Sequence, residues 1–182
     1  MSRDSAQHDL DAFETPRLRG YRLLPSHVAD VQRLHSDPDV MAHLGGVRDA
    51  EQTAAYFERN LRHWDEFGYG VYLLTGQDDD AVIGLGCLRG LQLDGRDEIE
   101  IGYLFFKPYW GQGLASEVAR ACLRMGFEVL GAESLIALTH PENIGSRKVM
   151  EKVGMHFDRE TVLNGAPIVV YRLNASPAPA EA

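Results

Sequence analysis

The chain has 182 residues, 45% of them hydrophobic and 25% charged, with a formal net charge of −9. That length suits one domain with a sizeable core rather than two, and the acidic balance disfavours generic binding to a nucleic-acid backbone. No stretch approaches the roughly 18 apolar residues of a membrane span, and the opening MSRDSAQHDLDAFE lacks the apolar core of a signal peptide. A cytoplasmic protein without nucleic-acid or membrane partners is therefore expected.

Residues 1–13 read as a flexible leader and 174–182, NASPAPAEA, as a disordered tail, which leaves 14–173 as the domain. RLRGYRLL (17–24) alternates as a strand should, and Pro25-Ser26 then opens a short helix with Val28, Val31 and Leu34 on one face. Asp49 with Gln52 three residues on forms a capping box, and Ala50, Ala54, Phe57, Leu61 and Trp64 follow at helical spacing. YGVYLLT (69–75), AVIGLGCLRG (81–90) and DEIEIGYLFF (97–106) read as three strands in succession. Leu114, Val118, Cys122, Met125 and Val129 form one helical stripe, SLIALT (134–139) a buried strand, and ENIGSRKVMEKVG (142–154) a helix ending at Gly154. A hairpin around Asn164-Gly165 closes the chain. Cys87 and Cys122 sit in apolar surroundings without metal-ligand spacing, so both are expected to be free thiols and no metal is expected.

Two segments carry candidate chemistry. YWGQGLASE (109–117) places two glycines at the expected start of a helix. Free N–H groups and partial positive charge gather at a helix N-terminus, and glycines let a phosphate reach them. A dinucleotide fingerprint wants a third glycine where Ser116 stands, and a P-loop wants Gly-Lys-Ser/Thr. An acyl-CoA pyrophosphate and a plain structural turn both remain open on spacing alone. In THPENIGSRKVMEKVGM (139–155), Asn143 and Ser146 share a helix face three residues apart. Alone they read as an N-cap and a solvent-facing hydroxyl.

Together with ETPRLRGYRLL (14–24) and DPDVMAHLGG (37–46), these segments resemble the GCN5-related N-acetyltransferases (GNAT), in the branch of ribosomal-protein N-terminal acetyltransferases. The resemblance covers about residues 14–173, and Trp110 departs from the Arg or Gln that opens the family's pyrophosphate motif. It implies a single-domain α/β GNAT fold: a mixed, mostly antiparallel sheet of about six to seven strands with about four helices, two central strands being splayed for the cosubstrate. It implies acetyl-CoA as cosubstrate and no metal. Phe105, Phe106 and Lys107 would line the pantetheine arm, the N–H groups of Gly111, Gln112, Gly113, Ala115 and Ser116 would hold the pyrophosphate, and Asn143 would bond the arm.

The implied reaction is direct attack of a primary amine on the thioester, which needs a base for the ammonium and a proton for the leaving thiolate. Glu100 is the first candidate base, with Glu98 on the same strand face and His140 as a second candidate; solvent-facing strand carboxylates are the structural alternative. Met150 stands where the resemblance implies a proton-donating Tyr in many members, which leaves Ser146, or else a water, as donor. The acceptor would be a protein N-terminal α-amine, or else a polyamine, aminoglycoside or amino acid, and the acidic balance suits a cationic one. A non-catalytic acyl-CoA-binding domain is the other reading. Specificity is expected from the first two helices, the Leu44-Gly45-Gly46 loop and VLNGAP (162–167). Monomer and homodimer are equally compatible with the family.

Overall fold

Turn and cap chemistry set most element boundaries. In the computed structural model, which describes residues 10–78 and 80–176, Asp49 accepts from the Gln52 N–H at 2.8 Å while Gln52 Oε1 accepts from the Asp49 N–H, starting helix α3 (Ala50–Phe67). Gly68 ends it in the left-handed conformation at φ 75°. Asn164-Gly165 and Asp94-Gly95 both take positive φ at two successive residues, 52° and 81° for the first and 52° and 75° for the second. Such turns match the twist of antiparallel strands. They close the hairpins β7 (His156–Leu163) to β8 (Ala166–Asn174) and β4 (Val82–Leu93) to β5 (Arg96–Phe105).

Among the described residues there are eight strands and five α-helices, somewhat more than expected. The extra strand, β1 (Ala12–Glu14), pairs with β2 (Leu18–Arg22), and Leu10 and Phe13 are buried in the core. The fold thus begins inside the expected 1–13 leader, because Phe13 packs edge-on against Tyr72 and the Tyr72 hydroxyl donates to the Leu10 carbonyl. Residues 1–9 and 177–182 of the expected leader and tail lie outside the described residues, and Asn174 still belongs to β8. The extra helix, α2 (Pro38–Met41), follows α1 (Val28–His35) and is capped by Asp37. The remaining elements are β3 (Val71–Gly76), α4 (Leu114–Arg124), β6 (Ser134–Thr139) and α5 (Ile144–Lys152).

The sheet order is β1-β2-β3-β4-β5-β6-β8-β7, antiparallel throughout except at β5–β6. That parallel pair meets at one register position, Glu100 opposite Ile136, and then parts. The paired end is clamped: Arg172 of β8 forks onto the buried Glu98 of β5 at 2.6 and 2.9 Å and also donates to Ser134 of β6. α4 packs on β4 and β5 where Gly86 leaves room for Val118.

The core-facing stripe of α3 differs from the expected one. Thr53, Phe57, Asn60 and Trp64 are its buried residues, whereas Ala50 and Ala54 are exposed. A buried polar pair displaces it: His35 of α1 bonds Thr53 Oγ1 through Nδ1 at 3.1 Å and meets Arg48 through Nε2 at 2.9 Å. A guanidinium can only donate, so Nε2 accepts and Nδ1 carries the proton. On α1 itself, Val31 and Leu34 are buried but Val28 is exposed.

Two outcomes follow from this packing. A Cβ on Gly84 of β4 would lie 2.1 Å from the Leu104 backbone oxygen of β5, so Gly84→Ala should lower unfolding stability by about 3 kcal/mol, the upper end of overpacking costs, read by urea denaturation. Burial and the Arg48 charge hold His35 down at about 4, whereas the unfolded chain takes up that proton near about 6.5. Above about pH 6.5 the group is silent; below it the unfolded state binds more protons, so stability falls until the folded state also titrates. The urea midpoint should drop between pH 7 and 5, equivalent to about 1–2 kcal/mol, and His35→Gln should flatten that drop.

Candidate active site

Beyond Glu100↔Ile136, the edges of β5 and β6 face each other without a register pair. The Phe106 N–H donates to the Ile83 carbonyl of β4 at 3.0 Å. Backbone groups alternate along a strand, so those of Tyr103 and Phe105 point the other way, into the opening. The Phe105 carbonyl is already taken by the indole Nε1–H of Trp110 at 2.7 Å. The half-exposed Trp110 is thereby explained: it packs back on β5 and satisfies a carbonyl at the slot's mouth.

At that mouth the chain turns through Lys107–Trp110 into the glycine segment. Gly111 and Gly113 sit at φ 72° and 82°, and Gly113 is the N-cap of α4. Open space surrounds a Cβ position on Gly111, while one on Gly113 would meet only the Arg17 guanidinium, at 3.6 Å. Among the hydrogen bonds of the described residues, none is donated by the N–H groups of Gly111, Gln112, Gly113, Leu114 or Ala115. A row of free donors at a helix N-terminus fits a pyrophosphate. Ser116 departs from the expectation: its N–H donates to the Gly113 carbonyl at 3.1 Å and the residue is buried. Leu114 takes its place in the row. The Gln112 side chain folds back to the Pro108 carbonyl, so Gln112 offers only its backbone.

Sequence reasoning missed Arg17. It bonds the Gln112 carbonyl at 2.9 Å and Glu117 Oε1 at 2.6 Å, and Thr15 holds the other Glu117 oxygen. The β1–β2 turn thus braces the cradle and neutralises the carboxylate in the first turn of α4. The Lys107 side chain does not enter the slot. β5 ends at Phe105, and the exposed Lys107 side chain reaches Asp39 of the α2 segment at 2.9 Å.

Alternation separates the remaining candidates. Gly86 pairs with Tyr103 on the face covered by α4, and Arg89 pairs with Glu100 on the opposite face. On the α4 side, Asn143 caps α5 by accepting from the Ser146 N–H at 3.0 Å, which leaves its amide group free to donate outward. Ser146 is not solvent-facing; its Oγ lies 3.1 Å from the Tyr103 hydroxyl, which also reaches the Ser146 carbonyl. Burial pushes the Tyr103 phenol up to about 12, so it keeps its proton near neutrality. Tyr103 was unforeseen, since a tyrosine in a strand carries no motif. Met150 is buried in the core.

On the other face, Glu98 and Glu100 are buried and ion-paired rather than solvent-facing. Glu98 pairs with Arg172, and Glu100 Oε2 accepts from Arg89 at 2.9 Å. His140 stacks against His43 of the loop after α2, ring centroids 6.0 Å apart. Both cysteines are free; burial pushes Cys87 up to about 12 and Cys122 well above its usual value, so neither is a thiolate nucleophile near pH 7.

The sheet is thus opened between two strands, with a helix N-terminus carrying free N–H donors at the mouth. Residues 17–156 match the family model for the acetyltransferase (GNAT) domain, and the chain belongs to that family of acetyltransferases. It is 39% identical over 140 residues to YkkB of Bacillus subtilis (strain 168), across 76% of this chain and 80% of that one. The acetyltransferase from Agrobacterium tumefaciens str. C58 superposes with a TM-score of 0.79 at 25% identity, over 90% of this chain and 94% of that one. RimL, a ribosomal L7/L12 α-N-protein acetyltransferase solved in complex with coenzyme A, shares the fold with a TM-score of 0.69 at 18% identity, over 88% and 95% of the two chains. No helix among the described residues is long and apolar enough to cross a membrane.

Gly113→Ala tests the cradle. A side chain in the left-handed region costs about 1–2 kcal/mol, and relief would turn the free N–H groups away. Calorimetric titration with coenzyme A should show at least tenfold weaker binding, and urea denaturation a small loss of stability.

Proposed function

We propose that the chain transfers an acetyl group from acetyl-CoA directly to a primary α-amine, with a protein N-terminus as one acceptor class. The observation that supports this reading is the opening between β5 and β6 with the free N–H row of Gly111–Ala115 at its mouth, the Tyr103–Ser146 contact and the Arg89–Glu100 pair lying on opposite faces of β5.

Acetyl-CoA, when bound, supplies the acetyl group as a thioester. The N–H row at α4 would hold its pyrophosphate, and the Asn143 amide would bond its arm. The peptide N–H groups of Tyr103 and Phe105 are oriented to polarise the carbonyl, as preorganised donors do in acyl transfer. The amine nitrogen forms the new C–N bond as the C–S bond breaks. Glu100 receives the amine proton, directly or through a water, and Ser146 gives its hydroxyl proton to the departing sulfur. Tyr103 stands behind Ser146 and can refill it through the 3.1 Å contact. The high thiol pKa values of Cys87 and Cys122 disfavour an acyl-cysteine step and support direct attack.

Glu100 is already engaged in an ion pair with Arg89, and that favours an acceptor needing little help. An α-amine of pKa about 8 is roughly a quarter neutral at pH 7.5, whereas a lysine side chain of pKa about 10.4 is only about 0.1% neutral.

Incubating the protein with acetyl-CoA and a panel of amines and N-terminal peptides should release free CoA. General acid–base groups contribute about 100-fold or more, so Ser146→Ala and Glu100→Gln should each lower kcat by about that factor with little change in the KM for acetyl-CoA. Tyr103→Phe should lower kcat less and shift the alkaline limb of its pH profile. Coenzyme A binding without turnover across the whole panel would instead support the non-catalytic reading.

A further inference from the structure

A second concavity, of about 320 Å³, lies between the Gly45-Gly46 loop and the first half of α3, and its charged groups are Arg48 and Arg59. Their guanidinium carbons lie 5.1 and 5.8 Å from the centroid of one ring, that of Tyr56. Neither arginine has a carboxylate within ion-pair distance among the described residues; Arg62, Arg96, Arg120, Arg124 and Arg147 also lack one, but only Arg48, which is half-buried, and Arg59 share one aromatic ring.

In a chain with 27 acidic and 18 basic residues, two adjacent cations left unpaired at a cavity need an explanation. Asp49, the acid next to Arg48 in the chain, is committed to capping α3. The Arg48 contact with His35 adds no negative charge, because the imidazole that accepts it is neutral. Burial and the charges of Arg59 and Arg89 press on Arg48, offset in part by Tyr56. Guanidinium does not relieve such pressure by losing its proton, so an incoming anion would. The contact with His35 and the backbone bond from the Arg48 N–H to the His35 carbonyl at 2.9 Å hold the side chain in place. The cavity also adjoins the candidate centre, since Tyr56 lies within electrostatic range of Arg89 and Glu100.

We propose that this cavity anchors the acceptor, and that the acceptor is a primary amine bearing an oxyanionic group, a carboxylate or a phosphate, gripped by Arg48 and Arg59 over the Tyr56 ring. The proposal rests on the acetyl-transfer reading and narrows it. It also reverses the expectation from net charge, which favoured a cationic acceptor. Guanidinium forks match carboxylate and phosphate geometry, so a small acid, a phosphorylated amine and an acidic peptide N-terminus share the required chemistry.

Three matched pairs test it: β-alanine against β-alaninamide, phosphoethanolamine against ethanolamine, and a tetrapeptide opening Ser-Glu-Glu against one opening Ser-Gln-Gln. Each is measured both for calorimetric binding to the full chain and for CoA release with acetyl-CoA present. The anionic member of at least one pair should bind, and turn over as kcat/KM, at least tenfold better, and the favoured pair identifies the source of the anion. Arg59→Gln, at an exposed position where folding is not at stake, should bring that ratio down toward one, and Arg59→Glu should invert it. Arg48→Gln should do the same with a larger loss of binding. CoA release with no preference in any pair, or a preference untouched by Arg59→Gln, overturns the anchoring site while leaving acetyl transfer standing. Anion-selective binding lost in Arg59→Gln but without CoA release keeps the site and removes the transfer reading. Absence of binding in every pair overturns the site.

Discussion

The structure is organised around two neighbouring strands that are allowed to meet only once. Strands in the middle of a sheet normally satisfy each other's backbone groups along their whole length, and buried groups left unpaired are costly. β5 and β6 forgo most of that pairing after Glu100↔Ile136. The surroundings make this tolerable from both ends. At the closed end, Arg172 ties Glu98 and Ser134 together across the strands. At the open end, the Trp110 indole occupies the Phe105 carbonyl, Ile83 takes the Phe106 N–H, and Tyr103 reaches across to the first turn of α5. The remaining donors in the gap are those a ligand can use. The N-terminus of α4 follows the same logic, with free N–H groups exposed by two glycines that only their left-handed conformation permits.

The gap also sorts charge. Because side chains alternate across β5, the hydroxyl pair Tyr103–Ser146 and the ion pair Arg89–Glu100 stand on opposite faces. The hydroxyl pair and the carboxylate thus lie on opposite sides of the strand that borders the slot. That division suits a substitution in which the entering and departing atoms lie on different sides of one carbon. The sheet pleat, not a loop, produces the division, so it is as rigid as the strand register.

Local signals in the sequence were read well where a backbone demand selects the residue. The Asp49–Gln52 box, the Asn164-Gly165 turn and the glycines at 111 and 113 each announce a conformation that few other residues satisfy. β1 was hidden because three residues give no period to detect, and its order comes from Phe13 meeting Tyr72 far along the chain. The stripe on α3 was misread at its start because His35 recruits Thr53 into the interior, a pairing visible only once α1 and α3 are side by side. Within the candidate site, the spacing of the glycines left a cradle and a plain turn both open, and alternation placed Glu98 and Glu100 on one strand face. The partners that decide how those groups behave were not legible. Arg17 arrives at the cradle from 95 residues away in the chain, Tyr103 carries no motif, and the pairing of Glu100 with Arg89 depends on strand register.

Net charge says little about a single cavity, and the reason is physical. Interactions between exposed charges fade beyond a Debye length of about 8–10 Å, so the excess of acids over the whole surface says little about a cavity a few ångströms across. What counts there is local pairing. Among the described residues seven arginines meet a carboxylate, whereas Arg48 and Arg59 meet each other around Tyr56. A half-buried cation whose hydrogen-bond partner is neutral, as Arg48 has in His35, still lacks a counter-charge. Its persistence beside the face that carries Glu100 is the expected trace of a ligand that brings the missing negative charge. An acceptor so anchored would present its amine to a carboxylate already balanced by Arg89, so neither charge is left uncompensated while the site is filled.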